Sequence, residues 1–311
     1  MRRLTIVLAT TILLIPAGCG QLVRATRDFE LNQPWTDYKR VEVELRNGNV
    51  ELRSADVPDI RISGRKYVSG MTLAEAEEDL SKIEVRAAAR PDSTDTFRVE
   101  LSYPEELRYK NVGAEVVVHV PQPCAASVQT TNGRIRVEGL AGNVQLETTN
   151  GRIVAADVEG AVRAETSNGR VEARNIAGDL TATTSNGNIV ARTVQGRCDL
   201  GTSNGSVQAE DVQGELRAKT SNGSIRASAT QPPNGKVDLR TSNGSIHATL
   251  PTALAAEYEL STTNGRINVS LGEAVMKLIE TSRRRFHATV NGGGGAVFAQ
   301  TSNGSIAVDG K

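Results

Sequence analysis

The residues best suited to chemistry are few and widely separated in this sequence of 311 residues. The cysteines and histidines are Cys19, Cys124, Cys198, His119, His247 and His287. Their spacing matches no zinc or iron–sulfur framework, which needs clustered ligands. No regular column of Asp recurs of the kind that calcium-binding repeats require. We therefore predict no metal, no cofactor and no catalytic residue, and hence a protein that is not an enzyme.

One charged column does repeat along the chain. Arg134, Arg152 and Arg170 each stand two residues after an Asn of a recurring Asn-Gly pair. A column of like charge is a candidate anion-binding strip for acidic glycan or lipid headgroups. The competing interpretation is a solvated face with no ligand, and the sequence favours the solvated face.

The overall composition restricts the class of protein further. Lys+Arg and Asp+Glu both number 36, so the net charge is zero, unlike the basic excess of nucleic-acid-binding proteins. Trp 1, Tyr 5 and Phe 4 are too few for a surface on which bases or sugars stack. With Gly at 29, the composition indicates a turn-rich, all-β protein.

The N-terminus carries an export signal. A basic start precedes an apolar run over residues 4–15, which is shorter than the ~20 residues of a bilayer-spanning helix. The small residues before Cys19 resemble the bacterial lipobox, and this implies that Cys19 becomes the first mature residue and carries lipid. Gly20 after it favours the outer membrane of a two-membrane envelope; otherwise the cell surface is expected. Ordinary signal-peptidase cleavage would instead leave Cys19 as a free thiol.

The strongest signal is an internal repeat of the tetrapeptide Thr-(Ser/Thr)-Asn-Gly. It occurs nine times, five of the intervals being 18 residues, two being 21 and the last being 39, which is one 18-residue step plus one of 21. A regular period of this length indicates stacked structural repeats. We expect the asparagines to form a ladder at one turn of the stack. They are Asn132, Asn150, Asn168, Asn186, Asn204, Asn222, Asn243, Asn264 and Asn303.

Each repeat contains two short strands. Apolar residues recur three and five positions after each Asn. In the first five repeats another apolar residue follows at eight positions and a Gly at ten. An antiparallel meander would need roughly twenty strands where open sheets rarely exceed ~10. We therefore predict a single-stranded, right-handed parallel β-solenoid of about ten 18-residue coils with an N-terminal capping segment. Asn and Gly tolerate left-handed backbone angles, so we expect those angles at the Asn-Gly corner.

These repeats behind a signal peptide resemble a bacterial β-strand-repeat family known as the "putative adhesin" family. The resemblance covers roughly residues 40–311, and residues 45–50 look like its opening coil. It implies an envelope location and a non-enzymatic, adhesion-like role, and it supplies no catalytic residues.

The domain organisation follows from these features. We predict a lipoprotein signal peptide at 1–18, a tether at 19–38, an N-terminal β region at 39–120 and solenoid repeats at 121–311. Residues 71–83 are predicted to form a helix that caps the first coil, because a solenoid end exposes unpaired backbone. The run Arg283–Arg285 and the four glycines at 292–295 indicate a solvated loop.

The repeat also decides whether Cys124 and Cys198 form a disulfide. They lie about four coils apart, roughly 19 Å, whereas a disulfide needs Cα atoms within ~7 Å. Cys198 shares an inward column with Leu180 and Leu216, so we predict a small core residue.

The functional expectation is a lipid-anchored cell-envelope module that acts in adhesion or as a scaffold. The alternative is a solenoid that binds or cleaves envelope polysaccharide. Expected partners are the membrane through lipidated Cys19, an envelope glycan or protein, and a second copy through the edge of the C-terminal coil around residues 305–308. Nucleic acid is not expected.

Overall fold

The computed structural model describes residues 10–13, for which only the backbone is considered, 22–230 and 236–311. The chain divides into two compact units, Met1–Gly151 and Arg152–Lys311, which we call unit 1 and unit 2. Across the described ranges, no helix combines the length and the apolar character that crossing a membrane requires. The predicted signal peptide and Cys19 lie outside these ranges, apart from the short strand Thr10–Leu13.

Unit 1 consists of eleven described strands, one α-helix and one short 3₁₀ helix. The elements are β1 Thr10–Leu13, β2 Val23–Pro34, β3 Arg40–Asn47, β4 Val50–Ser54, β5 Asp59–Gly70, α1 Leu73–Ser81, β6 Glu84–Ala89, β7 Thr96–Ser102, the 3₁₀ helix Glu105–Leu107, β8 Val112–Val120, β9 Ala125–Asn132, β10 Ile135–Glu138 and β11 Val144–Asn150.

The opening coil of unit 1 is β3 with β4, as the resemblance implied. β3 pairs in parallel with β9, and β4 pairs in parallel with β10, so that Asn47 is in register with Asn132. The coil of Asn47 therefore stacks directly on a coil 85 residues later, and the intervening chain forms other strands. On the far side, β8 extends one sheet and β7 extends the other.

The predicted tether is wrong for most of its length. Val23–Pro34 is a twelve-residue strand, β2, that pairs antiparallel with β5 along its whole length. β5 in turn pairs antiparallel with β8. This antiparallel extension hydrogen-bonds the edge that parallel coils would otherwise leave open.

The predicted helix is present as α1. The Thr72 side chain caps it by accepting a hydrogen bond from the Glu75 N–H at 3.2 Å. Ala76 and Leu80, four residues apart on one face, are fully buried. The helix contacts β2 and β5 and closes a small core with Ala25, Val68 and Leu107. The cap of unit 1 is thus a helix laid on antiparallel strands.

Unit 2 contains the remaining strands. They are β12 Ile153–Val158, β13 Val162–Thr166, β14 Val171–Ile176, β15 Leu180–Thr184, β16 Ile189–Val194, β17 Cys198–Thr202, β18 Val207–Val212, β19 Leu216–Asn222, β20 Ile225–Ala229, β21 Lys236–Asn243, β22 Ile246–Leu250, β23 Ala256–Asn264, β24 Ile267–Ser270, β25 Met276–Thr281, β26 Arg285–Val290, β27 Gly295–Asn303 and β28 Ile306–Gly310.

The coils of unit 2 form two sheets of parallel strands, which confirms the predicted solenoid. One sheet, sheet A, runs β12-β14-β16-β18-β20-β22-β28-β24. The other, sheet B, runs β13-β15-β17-β19-β21-β27-β23-β26-β25, in which the parallel pairing ends at β23 and the pairs β23-β26 and β26-β25 are antiparallel. Pairs such as Leu180 with Cys198 lie exactly one repeat apart in register. Side chains that point inward from the two sheets form a core of Val, Ile, Leu and Ala, in which Ala218 and Ala227 are fully buried or nearly so.

The last coil does not end the stack, and this corrects the expected C-terminal edge. β27 lies between β21 and β23, and β28 lies between β22 and β24. The final coil is therefore inserted between the coils of Asn243 and Asn264, with both edges paired. The predicted self-association edge around residues 305–308 is an interior position. The 39-residue interval holds an antiparallel hairpin, β25 with β26, in place of a degenerate coil.

Candidate functional site

The asparagine ladder is present in both units. In unit 1 the side-chain amide of Asn132 donates to the Asn47 carboxamide oxygen, and Asn150 donates to Asn132, each at 2.8 Å. In unit 2 the same amide-to-oxygen bonds connect the column at 2.8–2.9 Å, in the order Asn168, Asn186, Asn204, Asn222, Asn243, Asn303 and Asn264. Apart from the half-buried Asn47, these asparagines are exposed, and their role is to hold one corner of each coil over the next.

The glycine after each asparagine is required by close stacking. A Cβ on Gly205 would lie 2.0 Å from the carbonyl oxygen of Gly187 in the preceding coil, and one on Gly223 would lie 2.1 Å from that of Gly205. Among the described corner glycines, Gly48 alone has a left-handed φ, of 130°. The expected left-handed corner is therefore wrong for the other described coils, where glycine serves backbone approach.

A second ladder, which the sequence reasoning missed, runs beside the asparagines. The first Thr of each tetrapeptide is buried. Its hydroxyl donates to the carbonyl of a corner glycine in a neighbouring coil at Thr130, Thr148, Thr184, Thr202, Thr220, Thr241, Thr262 and Thr301. Thr184 donates to Gly169 at 3.0 Å, and Thr220 donates to Gly205 at 2.8 Å. The invariant Thr of the repeat was the available signal, because a buried hydroxyl needs a partner.

Left-handed backbone angles, with positive φ, occur at a residue seven positions after the asparagine. In unit 2, Asp157, Asn175, Thr193 and Asp211 have φ between 53° and 56°, and Gly139 takes the equivalent place in unit 1 with φ 76°. Inward-facing side chains stand three, five and eight residues after the asparagine. The alternation of inward and outward side chains must therefore shift by one residue between the fifth and the eighth position. A residue in the left-handed region supplies that shift.

The candidate anion strip is largely occupied by internal ion pairs. In unit 2, Arg152 Nη2 lies 2.5 Å and Arg170 Nε lies 2.7 Å from the same Glu172 carboxylate oxygen. In unit 1, Arg134 is exposed. Two of the three guanidinium groups are thus already paired with a carboxylate, which favours the solvated-face interpretation.

Cys124 and Cys198 are buried and form no disulfide, as predicted, and Cys198 lies in the predicted inward column between Leu180 and Leu216. Burial raises the pKa of the Cys124 thiol to about 12 and raises the pKa of Cys198 as well. Both thiols are therefore protonated and poorly nucleophilic at neutral pH.

One surface recess of unit 2 combines several polar groups. It has a volume of about 320 Å³ and is lined by Glu210, Asp211, Arg226, Ser228, His247 and Thr249. It lies where the register between β18 and β20 shifts after Ala209. His247 Nε2 is 3.5 Å from an Asp309 carboxylate oxygen, and its side chain is exposed, as the sequence predicted.

The charge in this recess is mixed. Arg192 Nε donates a hydrogen bond to the Glu210 carboxylate at 2.8 Å. This bond is the largest of the effects that lower the pKa of the Glu210 carboxyl. Donors and acceptors of both signs in an open recess suit a polar ligand such as a sugar better than a single charged group. Among the residues described, no set of three His, Cys, Asp or Glu side chains could hold a metal ion.

Fold and site together define the molecule as a ladder-stabilised, two-sheet parallel β-solenoid protein. The family model of Toastrack DUF4097 matches residues 39–309, and the chain belongs to this family.

Several solved structures are similar to this chain at low sequence identity. A putative adhesin from Bacteroides fragilis NCTC 9343 is 10% identical, with a TM-score of 0.44, over 90% of this chain and 96% of that one. A putative adhesin from Parabacteroides distasonis ATCC 8503 is 12% identical, with a TM-score of 0.43, over 90% and 96%. A putative lipid binding protein from the same organism is 12% identical, with a TM-score of 0.39, over the same shares. No curated protein matches the chain.

Proposed function

We propose that this protein is a non-enzymatic adhesion or scaffold module of the bacterial cell envelope. The supporting observation is the regular outer surface of the stacked coils, on which side chains pair with those of the next coil. Arg192 with Glu210 and Arg152 with Glu172 are examples. Such a surface is rigid and long, and it suits binding by shape over several coils.

We place the protein at a membrane, where it is anchored as a lipoprotein through lipid on Cys19. The residues before Cys19 support it through their likeness to a lipobox. Metabolic labelling with a radioactive fatty acid in a bacterial host is expected to label the full chain and to leave Cys19→Ser unlabelled. Equal labelling of both chains, or none of either, would contradict lipidation at this residue.

A second candidate function, polysaccharide binding, is favoured by the polar recess beside His247. It is tested by screening the full Cys19→Ser chain against envelope glycans and envelope fractions. A glycan-binding protein should lose retention when Arg226 and His247 become Ala, whereas a scaffold that binds protein should not. The triple change of Arg134, Arg152 and Arg170 to Ala is the matched control for loss of surface charge alone.

If the triple arginine variant loses glycan retention and the recess variant keeps it, the arginine strip is the binding surface. If a glycan is shortened during incubation, the non-enzymatic proposal is wrong. Retention of an envelope protein by both variants would support the adhesion or scaffold role.

A further inference from the structure

The two sheets of unit 2 end unevenly. The coil of Asn264 contributes β23 to sheet B and β24 to sheet A, and sheet A ends there. Sheet B continues by two antiparallel strands, first β26 and then β25. The hairpin at residues 275–290, which we call the terminal hairpin, therefore extends beyond the facing sheet.

The outer strand of this hairpin is uncovered and, with Val275 just before it, carries a group of exposed apolar side chains. Exposed fractions are 76% for Val275, 41% for Met276, 54% for Leu278 and 56% for Ile279. These are four of the seven large hydrophobic residues that are exposed in the described part of the chain. Met276 and Leu278 stand opposite Val290 and Ala288, which are buried, so this face of β25 continues the core face of β26. Exposed apolar side chains grouped in this way are typical of an interaction site.

Exposed cations surround this apolar surface. Between residues 266 and 285 there are five cations and two anions, a net charge of +3. The cations are Arg266, Lys277, Arg283, Arg284 and Arg285; the anions are Glu273 and Glu280. Backbone bonds from Ile267 N–H to Arg283 O at 3.1 Å and from Thr262 N–H to Arg284 O at 3.0 Å hold the arginine run against the coil of Asn264. Within the described residues, none of these five cations forms an ion pair with a side chain.

The exposed apolar side chains and the cations around them together indicate which kind of surface covers the hairpin. A second copy would bring a +3 end against a +3 end. Lys277 and the irregular register between Leu278 and Glu280 also discourage edge-to-edge strand pairing. A bilayer with anionic headgroups complements both features, because cations attract its surface and apolar side chains enter the acyl boundary. We propose that the terminal hairpin docks on the surface of an anionic phospholipid membrane.

The inference does not depend on lipid at Cys19 and goes beyond the proposed adhesion role. The hairpin would supply a membrane contact from a different unit of the chain than the one that holds Cys19.

The first experiment places a reporter on the hairpin. Leu278→Cys in the full Cys19→Ser chain is labelled with a polarity-sensitive fluorophore; buried Cys124 and Cys198 are not expected to react. Vesicles of phosphatidylcholine with phosphatidylglycerol should shift its emission to the blue, and vesicles of phosphatidylcholine alone should do so much less. The matched control is Met71→Cys, an exposed apolar residue of unit 1, which should show no shift. An unshifted reporter at position 278 would overturn the proposal.

The second experiment measures flotation with the same anionic vesicles. Met276→Glu with Leu278→Glu, and separately Arg283→Glu with Arg284→Glu, should each weaken binding about tenfold or more. Lys39→Glu with Arg61→Glu changes equally exposed cations of unit 1 and should leave binding unchanged. Equal losses in all three variants would show binding by net charge alone and would overturn the docking site. Concentration-dependent sedimentation that the first variant abolishes would show a second copy as the occupant and would equally overturn it.

Discussion

At the scale of single residues, two side-chain columns hold one coil on the next, and burial decides which contributes more. The asparagine amides are exposed, so water competes for their hydrogen bonds. The threonines are buried, so water replaces a lost threonine hydroxyl less readily at the glycine carbonyl. We expect the threonine column to carry the larger share of stability per residue.

The change Thr184→Val tests this expectation. Valine keeps the shape and removes the hydroxyl that donates to Gly169 O at 3.0 Å. The free energy of unfolding should fall by ~1–2 kcal/mol, measured by denaturant titration. Thr183→Val changes an exposed residue of the same strand and should stay within about 0.5 kcal/mol of the original chain. Equal effects of the two substitutions would show that the hydroxyl bond is unimportant.

The position seven residues after each asparagine offers a test in which a substitution should raise stability instead of lowering it. Thr193 has φ 54°, which is strained for a β-branched residue, while Asn175 occupies the same place one coil earlier. Thr193→Asn should therefore raise the free energy of unfolding by up to ~1 kcal/mol. The control Thr181→Asn makes the same change within strand β15 and should not stabilise. Destabilisation by Thr193→Asn would contradict the strain argument.

The sequence reveals the asparagine column but misplaces the backbone strain. Asn-Gly is a familiar turn pair, which favours a left-handed corner at the tetrapeptide. In the structure the glycine is required because the carbonyl oxygen of Gly187 in the preceding coil would lie 2.0 Å from a Cβ at Gly205. This contact forms between coils, so the residues around the glycine in sequence do not indicate it. The spacing of inward residues at three, five and eight did indicate where the inward–outward alternation shifts, which is where the left-handed residue lies.

At the scale of elements, the helix of unit 1 depends on charges from another segment. Lys110 bonds the carboxylates of Glu75 and Asp79, and Asp79 is buried. The hydrogen bond between Lys110 and the Glu75 carboxylate is the main cause of the lowered pKa of Glu75. Lys110 thus fastens α1 to the loop before β8.

Lys110→Met should lower the midpoint of thermal unfolding at neutral pH by a few degrees, roughly 2–4 °C. Because the pKa of Glu75 is lowered in the folded state, its contribution is present above the unfolded pKa and is lost as pH falls through the folded pKa. The difference between the two proteins should therefore shrink in acid. Lys39→Met, an exposed substitution in the same unit, should show no such difference, and a gap that widens in acid would contradict the account.

Elements with an apolar face were predictable, and those without one were not. Helix α1 and strand β8 fell within the predicted segments because their apolar residues recur at three-to-four and two-residue spacing. Strand β2 was taken for a tether because only Ala25 and Thr26 of its twelve residues are buried. It is held by antiparallel backbone pairing with β5, which periodicity does not report.

At the scale of the whole molecule, the parallel stack was predictable and the order of coils was not. All nine tetrapeptides have the same residue pattern, so any coil fits against any other. The asparagine spacing of 39 was consistent with a missing coil, whereas the chain forms the hairpin of β25 and β26 and then returns. The final coil enters between two earlier ones, and sequence order cannot show that insertion.

Cysteine cross-linking of the full Cys19→Ser chain tests the stack most directly. Ala307 is in register with His247 on one side and with Asn268 on the other. Neighbouring strands lie ~4.8 Å apart, so the pairs 247–307 and 268–307 should form disulfides on oxidation. The pair 247–268 spans two steps, beyond the ~7 Å that a disulfide allows, and should stay reduced. A disulfide between 247 and 268, with none to 307, would contradict the inserted coil.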